Sequence, residues 1–322
     1  MTEKTNSQSP FVGFSSRKAF GKVLVELAKE NDDIVALTAD LTDSVQLTEF
    51  QKTFPDRFVN FGVAEQNMTG AAAGLTLAGK IPFTCTYAAF SSMRATEQMR
   101  TDIAYNDLPV RIVSTHGGVT FDVAGATHQA IEDVGIYRGI AGMTVIAPAD
   151  AVETVAVIRA VVDLPGPVYV RLNRVTEKTV YTHDFTYKIG KPDLLKPGKD
   201  LLLVATGVQV GETLDAEKLL QERGVDAGVL NLSSVKPIDE KALVEIIKDY
   251  PAVMTVEQHS ILNGTGSAVA EIIAQNNLDV AFYRHGLQDI FTTSGPYKEL
   301  LVYYKLDPEG ICETALKFLD QS

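Results

Sequence analysis

VNFGVAEQNMTGAAAG, residues 59–74, decides the fold of this chain because it runs from a short apolar strand directly into a helix. The helix is built almost wholly of Gly and Ala, whose small side chains allow another backbone to approach closely. Glu65 opens this helix, so we expect its carboxyl group to be buried. Burial disfavours the charged form, and a neutral buried Glu can take part in proton transfer. The helix dipole alone also favours Glu in a first turn, so the segment by itself leaves both interpretations open.

The same alternation of apolar runs and helical segments continues along the chain. Six runs in the first half are predicted as strands, at 33–40, 57–62, 81–87, 110–116, 143–150 and 166–172. Continuously apolar runs separated by helices predict a buried parallel sheet with crossover connections. A second alternation has strands at 200–207, 225–232, 252–259 and 280–286. We therefore predict an α/β protein with two tandem domains, each a mostly parallel sheet covered by helices.

Composition sets the predicted boundaries of these domains. Residues 1–12 are polar and are predicted to be a disordered lead-in, and residues 13–174 form the first domain. Residues 175–199 show no helical period and are predicted to be a linker with some extended structure. The second domain is predicted to span residues 200–322.

Charge and composition exclude several classes of function. The net charge of −12 argues against a nucleic-acid partner, which needs a basic face. No run approaches the ~18 apolar residues of a membrane helix, and the polar start lacks a signal peptide. Cys85 and Cys312 lie far apart and fit no metal-ligand spacing, so they are predicted to be reduced thiols. We expect a cytoplasmic protein that contacts no membrane.

Polar residues recur where the predicted strands of the first domain end. In open α/β sheets, ligands bind outside the carboxyl ends of the strands. The residues found at or just after those ends are Asp40, Glu65, Tyr87, His116 and Arg174. The chain contains no P-loop, no GxGxxG after a first strand and no HExxH, so common nucleotide and zinc motifs are absent. The strand ends therefore predict a binding site of another kind.

GVAEQNM around Glu65, STHGG around His116 and GATHQAIED at 125–133 resemble the C-terminal half of transketolase in order and spacing. The resemblance extends from SSRKAF at 15–20 to the last helix, and is closest to the form divided into two polypeptides. It implies that a ketol unit of two carbons moves from a ketose phosphate to an aldose phosphate, with thiamine diphosphate and Mg²⁺ as cofactors.

The family's diphosphate-binding motif, GDG followed by Asn, is absent from this chain. The resemblance therefore implies a pyrimidine-binding domain plus a C-terminal domain that act with an N-terminal partner subunit. That partner is expected to hold most of the metal's ligands, so no metal-binding residue is assigned here. Two copies of each subunit are the expected assembly, with self-association of this chain within it.

Residue roles follow from the same resemblance. Glu65 and His116 match catalytic positions, and Glu65 is expected to hydrogen-bond N1′ of the cofactor's aminopyrimidine. Tyr87 and Phe90 match aromatic residues that stack on this ring. Asp40 matches an aspartate near the cofactor at the subunit interface, where a structural role is favoured. A third aromatic position is Met93 here.

Five residues match substrate-binding positions. The positions that hold the substrate phosphate are Arg17, Ser44, His116 and Arg174, and His128 matches a histidine near the substrate hydroxyls. The planar guanidinium of Arg suits phosphate, and His supplies a neutral or cationic donor. Ordinary roles remain open for four of them. Arg17 can be a surface cation in a first helical turn, Ser44 a helix cap, Arg174 a linker charge and His128 a hydrogen-bonded core residue.

One departure from the family concerns substrate recognition. Many transketolases read GEDG before the Thr-His pair, whereas this chain reads DVAG at 122–125. The aspartate that contacts a sugar hydroxyl thus falls on Ala124, and Asp122 lies two positions earlier. A carboxylate–hydroxyl bond contributes about 1.5–3 kcal/mol. We expect a non-standard ketose donor, for example a branched ketose phosphate.

Two other functions fit the sequence less well. One is a related thiamine-dependent carboligase, similar to 1-deoxyxylulose 5-phosphate synthase or to the β subunit of a 2-oxoacid dehydrogenase. The other is a non-catalytic assembly protein. The second domain supplies no predicted catalytic residue, and Glu257 and His259 at one of its strand ends are expected to have burial or interface roles.

Overall fold

The computed structural model describes residues 7–321 and contains two α/β domains. The helices are α1 Ser16–Glu30, α2 Thr48–Thr53, α3 Glu65–Leu77, α4 Ala88–Arg94, α5 Thr96–Gln98, α6 Asp133–Arg138, α7 Ala151–Val161, α8 Gln209–Glu222, α9 Glu240–Ile247, α10 Thr265–Gln275, α11 Tyr297–Tyr303 and α12 Pro308–Leu319. A π-helical segment, Met99–Ala104, continues α5, and 3₁₀ turns lie at Pro55–Arg57 and Asp122–Ala124.

The strands are β1 Ile34–Thr38, β2 Phe58–Asn60, β3 Ile81–Tyr87, β4 Arg111–Thr115, β5 Thr144–Ile146, β6 Val168–Arg171, β7 Asp193–Lys196, β8 Leu201–Ala205, β9 Ala227–Asn231, β10 Ser234–Lys236, β11 Ala252–Ser260 and β12 Ala281–Leu287. They form a sheet of order β10-β5-β6-β4-β3-β1-β2 and a sheet of order β12-β11-β8-β9-β7. The predicted two-domain α/β fold is confirmed.

The first sheet is parallel except at one edge. β1 to β6 pair in parallel, so their carboxyl ends meet at one edge of the sheet. β10 pairs with β5 in antiparallel orientation and comes from the second half of the chain. The second half of the chain therefore completes the first sheet, which ties the two domains together.

Helices cover both faces of the first sheet. On one face α1 packs against α7, and the side chains of Phe20, Leu24 and Ile158 are fully buried there. Ser15 caps α1, and Asp150 caps α7 by accepting a hydrogen bond from the Glu153 amide at 2.9 Å. On the other face the small residues of α3 lie close to β3 and to the π-helical segment.

The structure differs from the predicted lead-in and linker in two places. The Ser9 amide donates to the carbonyl of Thr182 at 2.9 Å, and Phe11 is buried, so the end of the predicted lead-in packs on the domain. Residues 1–6 lie outside the described residues. β7 lies within the predicted linker and pairs with β9, so the second sheet begins before residue 200. Between residues 7 and 321, no helix is both long and apolar enough to cross a membrane.

Candidate active site

Parallel strand order brings the predicted site residues to one edge of the first sheet. Asp40 follows β1, Tyr87 ends β3 and His116 follows β4, while Glu65 begins the helix after β2. Arg174 lies three residues beyond β6. The polar residues that the sequence placed at strand ends therefore lie on one side of the first domain.

Glu65 is buried at the start of α3, with 4% of its surface exposed. Its Oε1 lies 3.1 Å from a guanidinium nitrogen of Arg94, whose side chain is half-exposed. The Arg94 guanidinium also lies 4.0 Å above the centre of the Phe90 ring. Sequence reasoning missed Arg94, which donates a hydrogen bond to the Glu65 carboxyl group.

Five rings form an aromatic cluster beside this carboxylate, and they belong to Tyr87, Phe90, His116, Phe121 and His128. The centroids of Tyr87 and His116 are 4.0 Å apart, and those of Tyr87 and Phe90 are 5.4 Å apart. His128 therefore lies in the cluster with the other predicted residues. Phe121 was not predicted, because an isolated Phe between polar residues carries no pattern.

A second group of residues presents cationic donors. The Arg17 guanidinium donates to the carbonyl oxygens of Ser44 at 2.6 Å and of Arg174 at 3.1 Å. The Ser44 hydroxyl lies 2.7 Å from the Tyr87 hydroxyl, which joins this group to the aromatic cluster. Ser44 does not cap α2, which follows Leu47. Arg17 thus connects the backbones of Ser44 and Arg174, and Ser44 connects them to Tyr87.

His116 belongs to the aromatic cluster and also lies within reach of the charges of Arg17 and Arg174. Its surface is 1% exposed. Burial, together with the charges of Arg17 and Arg174, lowers the pKa of its imidazole to about 2. Its Nδ1 lies 2.8 Å from the hydroxyl of Thr115. His116 is therefore neutral at physiological pH and can act as a hydrogen-bonding group without adding charge.

The DVAG segment at 122–125, where the sequence departs from the family, lies beside Arg174. The Asp122 carboxylate contacts a guanidinium nitrogen of Arg174 at 3.1 Å. Ala124 ends the same 3₁₀ turn and has no polar side-chain atom to offer. Asp40 is held by Asn60, whose amide donates to the Asp40 carboxylate at 3.1 Å.

The second domain supports the loop that carries His116. The Gln258 side chain accepts a hydrogen bond from the Val119 amide at 3.0 Å. Gly118 has φ +62°, and a Cβ there would clash with that same side-chain oxygen. Gln129 donates to the carbonyls of Asp122 at 2.8 Å and Thr293 at 3.2 Å. The second domain contains no predicted site residue, but its hydrogen bonds fix the position of the loop that carries His116.

A buried ion pair lies beneath this loop. The Arg171 Nε is 2.8 Å from the Asp133 carboxylate, which also accepts from the Tyr169 hydroxyl at 2.6 Å. Arg171 further donates to the Gln258 carbonyl at 3.0 Å, across the domain boundary. Breaking one partner of such a pair leaves an uncompensated buried charge.

Glu257 has the burial role that the sequence favoured. Its carboxylate accepts hydrogen bonds from the amides of Thr265 at 2.7 Å and Gly266 at 2.8 Å, at the start of α10. Burial raises the pKa of this carboxyl group. His259 accepts from the Gly135 amide at 3.2 Å and packs between the two domains.

The donor set fits an aminopyrimidine but not a metal ion. A buried carboxylate beside aromatic faces can hydrogen-bond the ring's nitrogens while Phe90 or Tyr87 covers its plane. Among residues 7–321, no group of three or more His, Cys, Asp and Glu side chains is arranged to hold a metal.

Comparison with known proteins agrees with this geometry. Residues 13–177 match the model of the transketolase pyrimidine-binding domain, and residues 190–311 match that of the transketolase C-terminal domain. A putative transketolase C-terminal section from Methanocaldococcus jannaschii is 46% identical over 94% of this chain and 95% of its own length.

Two curated relatives belong to transketolases that differ in their named substrate. One of the subunits of the apulose-4-phosphate transketolase of Phocaeicola vulgatus is 39% identical, covering 94% of this chain and 97% of that protein. A 6-deoxy-6-sulfo-D-fructose transketolase subunit of a Clostridium species is 39% identical, covering 87% of this chain and 86% of that protein. A solved split-gene transketolase, described as an inactive β4 tetramer, superposes with a TM-score of 0.86 at 41% identity, over 96% of this chain and 99% of that one.

Proposed function

The chain belongs to the transketolase family, and from that premise we propose that it is the C-terminal subunit of a two-polypeptide, thiamine-diphosphate-dependent transketolase. The enzyme would move a ketol unit of two carbons from a ketose phosphate, or a similar anionic ketose, to an aldose phosphate. It would be active with an N-terminal subunit that holds the diphosphate and most of the ligands of Mg²⁺. We place it in the cytoplasm as a complex with two copies of each subunit.

The observation that carries this proposal is the position of Glu65. Its carboxylate is buried and contacts Arg94, which stacks on the Phe90 ring, at the sheet edge that also presents Arg17 and Arg174. A proton-handling carboxylate, a stacking surface and an anion site on one side of one domain are what cofactor-dependent transfer between sugar phosphates needs.

Different residues of this chain would handle the proton, orient the cofactor ring and bind the sugar's anionic group. Bound thiamine diphosphate would supply the carbanion chemistry. Glu65 would hold a proton at N1′ of its pyrimidine, and Tyr87 and Phe90 would fix the plane of that ring. Arg17, Ser44 and Arg174 would bind the terminal anion of the sugar, with neutral His116 as a hydrogen-bonding partner.

The replacement of the hydroxyl-reading aspartate by Ala124 supports a non-standard donor. Two of the transketolases to which the chain is similar are named for such ketoses, apulose 4-phosphate and 6-deoxy-6-sulfo-D-fructose. We include both classes, branched ketose phosphates and sulfonated ketoses, among the candidate donors of this protein.

The test is reconstitution. The purified chain is mixed with its N-terminal partner, thiamine diphosphate and Mg²⁺, and transfer of two carbons to ribose 5-phosphate is followed. The donors are xylulose 5-phosphate, fructose 6-phosphate, apulose 4-phosphate and 6-deoxy-6-sulfofructose, with each subunit alone as the control.

Activity with one of these donors supports the proposal if both subunits are required and neither is active alone. Consumption of pyruvate instead would identify the carboligase alternative. Unchanged activity of the complex after Glu65→Gln would favour a non-catalytic subunit. No turnover with any donor would refute the transketolase assignment.

A further inference from the structure

Asp122 is an acidic residue within a group of anion-binding side chains. Its Oδ2 lies 3.1 Å from Arg174, and its Oδ1 accepts from the Val123 amide at 2.7 Å. Its backbone is anchored on both sides, because its amide donates to Val119 at 3.0 Å and its carbonyl accepts from Gln129 at 2.8 Å. The carboxylate is therefore held beside Arg174 by the fold of the loop.

This carboxylate changes the charge of the anion site. Arg17 and Arg174 each bring one positive charge, and burial keeps His116 neutral. Asp122 offsets one of these two charges, so Arg17, Arg174 and Asp122 together carry a single net positive charge. The acidic side chains that act on Arg17 are Asp43 and the buried Glu177, and His128 is the remaining titratable neighbour of His116.

The charge of the ligand decides how strongly Asp122 acts on it. A phosphate monoester carries a charge of about −1.5 to −2 at pH 7, because its second ionisation lies near pH 6. A sulfonate carries one negative charge over the same range. Coulomb repulsion from a fixed carboxylate is proportional to the ligand's charge, so it penalises phosphate more than sulfonate.

We propose that Asp122 sets the charge preference of the substrate site, shifting it from doubly charged phosphate towards a singly charged terminal group such as a sulfonate. This inference rests on the proposed function and narrows its substrate class. It is separate from the loss of a hydroxyl contact at Ala124, which concerns the sugar rather than its terminal anion.

A matched pair of donors tests the proposal. Fructose 6-phosphate and 6-deoxy-6-sulfofructose differ at the terminal group, and kcat/KM is measured for both with the reconstituted complex. Asp122→Asn is expected to raise kcat/KM for the phosphate roughly tenfold relative to the sulfonate. Asp122→Gly, which suits the backbone φ of 25°, should act in the same direction.

Asp56→Asn is the control, because it removes the same charge from an exposed turn before β2, at the opposite edge of the sheet. It should leave the ratio of the two kcat/KM values unchanged.

The pH dependence of this ratio is an internal check. Ionisations of the enzyme that lie far from the site affect both donors alike and cancel in the ratio. In the native complex the preference for sulfonate over phosphate should decrease as the pH falls through about 6, since phosphate then becomes singly charged. In the Asp122→Asn complex this pH dependence should be weaker.

An unchanged ratio in both Asp122 variants, or a shift towards sulfonate, would overturn the inference. If no donor is turned over at all, the proposed function fails instead. Asp122 is then tested by equilibrium binding of ethyl phosphate and ethanesulfonate to the purified chain. Asp122→Asn should strengthen phosphate binding relative to sulfonate binding, and an equal effect on both would refute the role.

Discussion

Glu65 is the residue on which the proposed chemistry depends. Replacing it by Gln removes the exchangeable carboxyl proton but keeps the size of the side chain. We expect activity of the reconstituted complex to fall by about two to four orders of magnitude, the usual contribution of a positioned acid or base. Glu97→Gln, at an exposed position three residues after Arg94, serves as the control and should retain activity. Similar losses in both variants, or an altered far-ultraviolet circular dichroism spectrum, would point to a structural effect instead.

His116 makes the stability of the chain depend on pH. The unfolded chain binds a proton at this residue near pH 6.5, whereas the folded site excludes it until about pH 2. The lowered pKa therefore costs almost no stability at pH 7 and destabilises the fold as the pH falls below 6.5.

A comparison with His116→Gln, which cannot titrate, isolates this effect. Between pH 7 and pH 5, the free energy of unfolding of the native chain should fall by roughly 2 kcal/mol more than that of the variant. Urea titration followed by circular dichroism at the two pH values measures the difference. Equal losses in both proteins would mean that the folded site accepts the proton.

The loop from His116 to Gln129 is the element that links site and second domain. Gly118→Ala would place a methyl group in direct overlap with the Gln258 side-chain oxygen, at a backbone φ of +62°. We expect the free energy of unfolding to fall by about 2–4 kcal/mol and the activity of the complex to fall with it, because the His116 loop must shift.

Gly13→Ala provides the matched control. Gly13 also has a positive φ, +80°, but no atom lies within 4 Å of the added methyl group. The Gly13→Ala variant should lose only about 1 kcal/mol of unfolding free energy, because the positive φ is the only source of strain. If the two variants lose equal stability in thermal unfolding, the contact with Gln258 does not contribute.

The sequence predicted individual helices and strands better than the contacts between distant parts of the chain. The apolar run at 81–87 is β3 to the residue, since continuous burial leaves a clear pattern. β10 escaped prediction because its three residues pair with β5 of the other domain, and such an edge contact has no local signal. For the same reason the ion pair of Glu65 with Arg94, 29 residues away, became visible only in the folded chain.

For the whole molecule, the exposed apolar residues of the first domain predict an interface. Val63, Leu77, Met93 and Tyr105 are at least half exposed. They lie on or beside α3, α4 and the π-helical segment, and α3 contacts the other two. A group of exposed apolar residues on neighbouring helical segments of one domain is typical of a surface covered in an assembly. We expect this surface to pair with a second copy when the N-terminal subunit is absent.

Sedimentation velocity over a range of chain concentrations tests this expectation. The native chain should sediment as an oligomer, and the double variant Leu77→Lys, Tyr105→Lys should shift towards monomer, because a charged group is costly to bury in an apolar interface. Val302→Lys, Tyr303→Lys on α11 is the control, since both residues are also exposed but belong to the second domain. A native chain that stays monomeric, or equal dissociation by both double variants, would show that the α3 surface does not drive association. Dissociation of the α3 variant alone would place the self-association surface on α3 and the π-helical segment of the first domain.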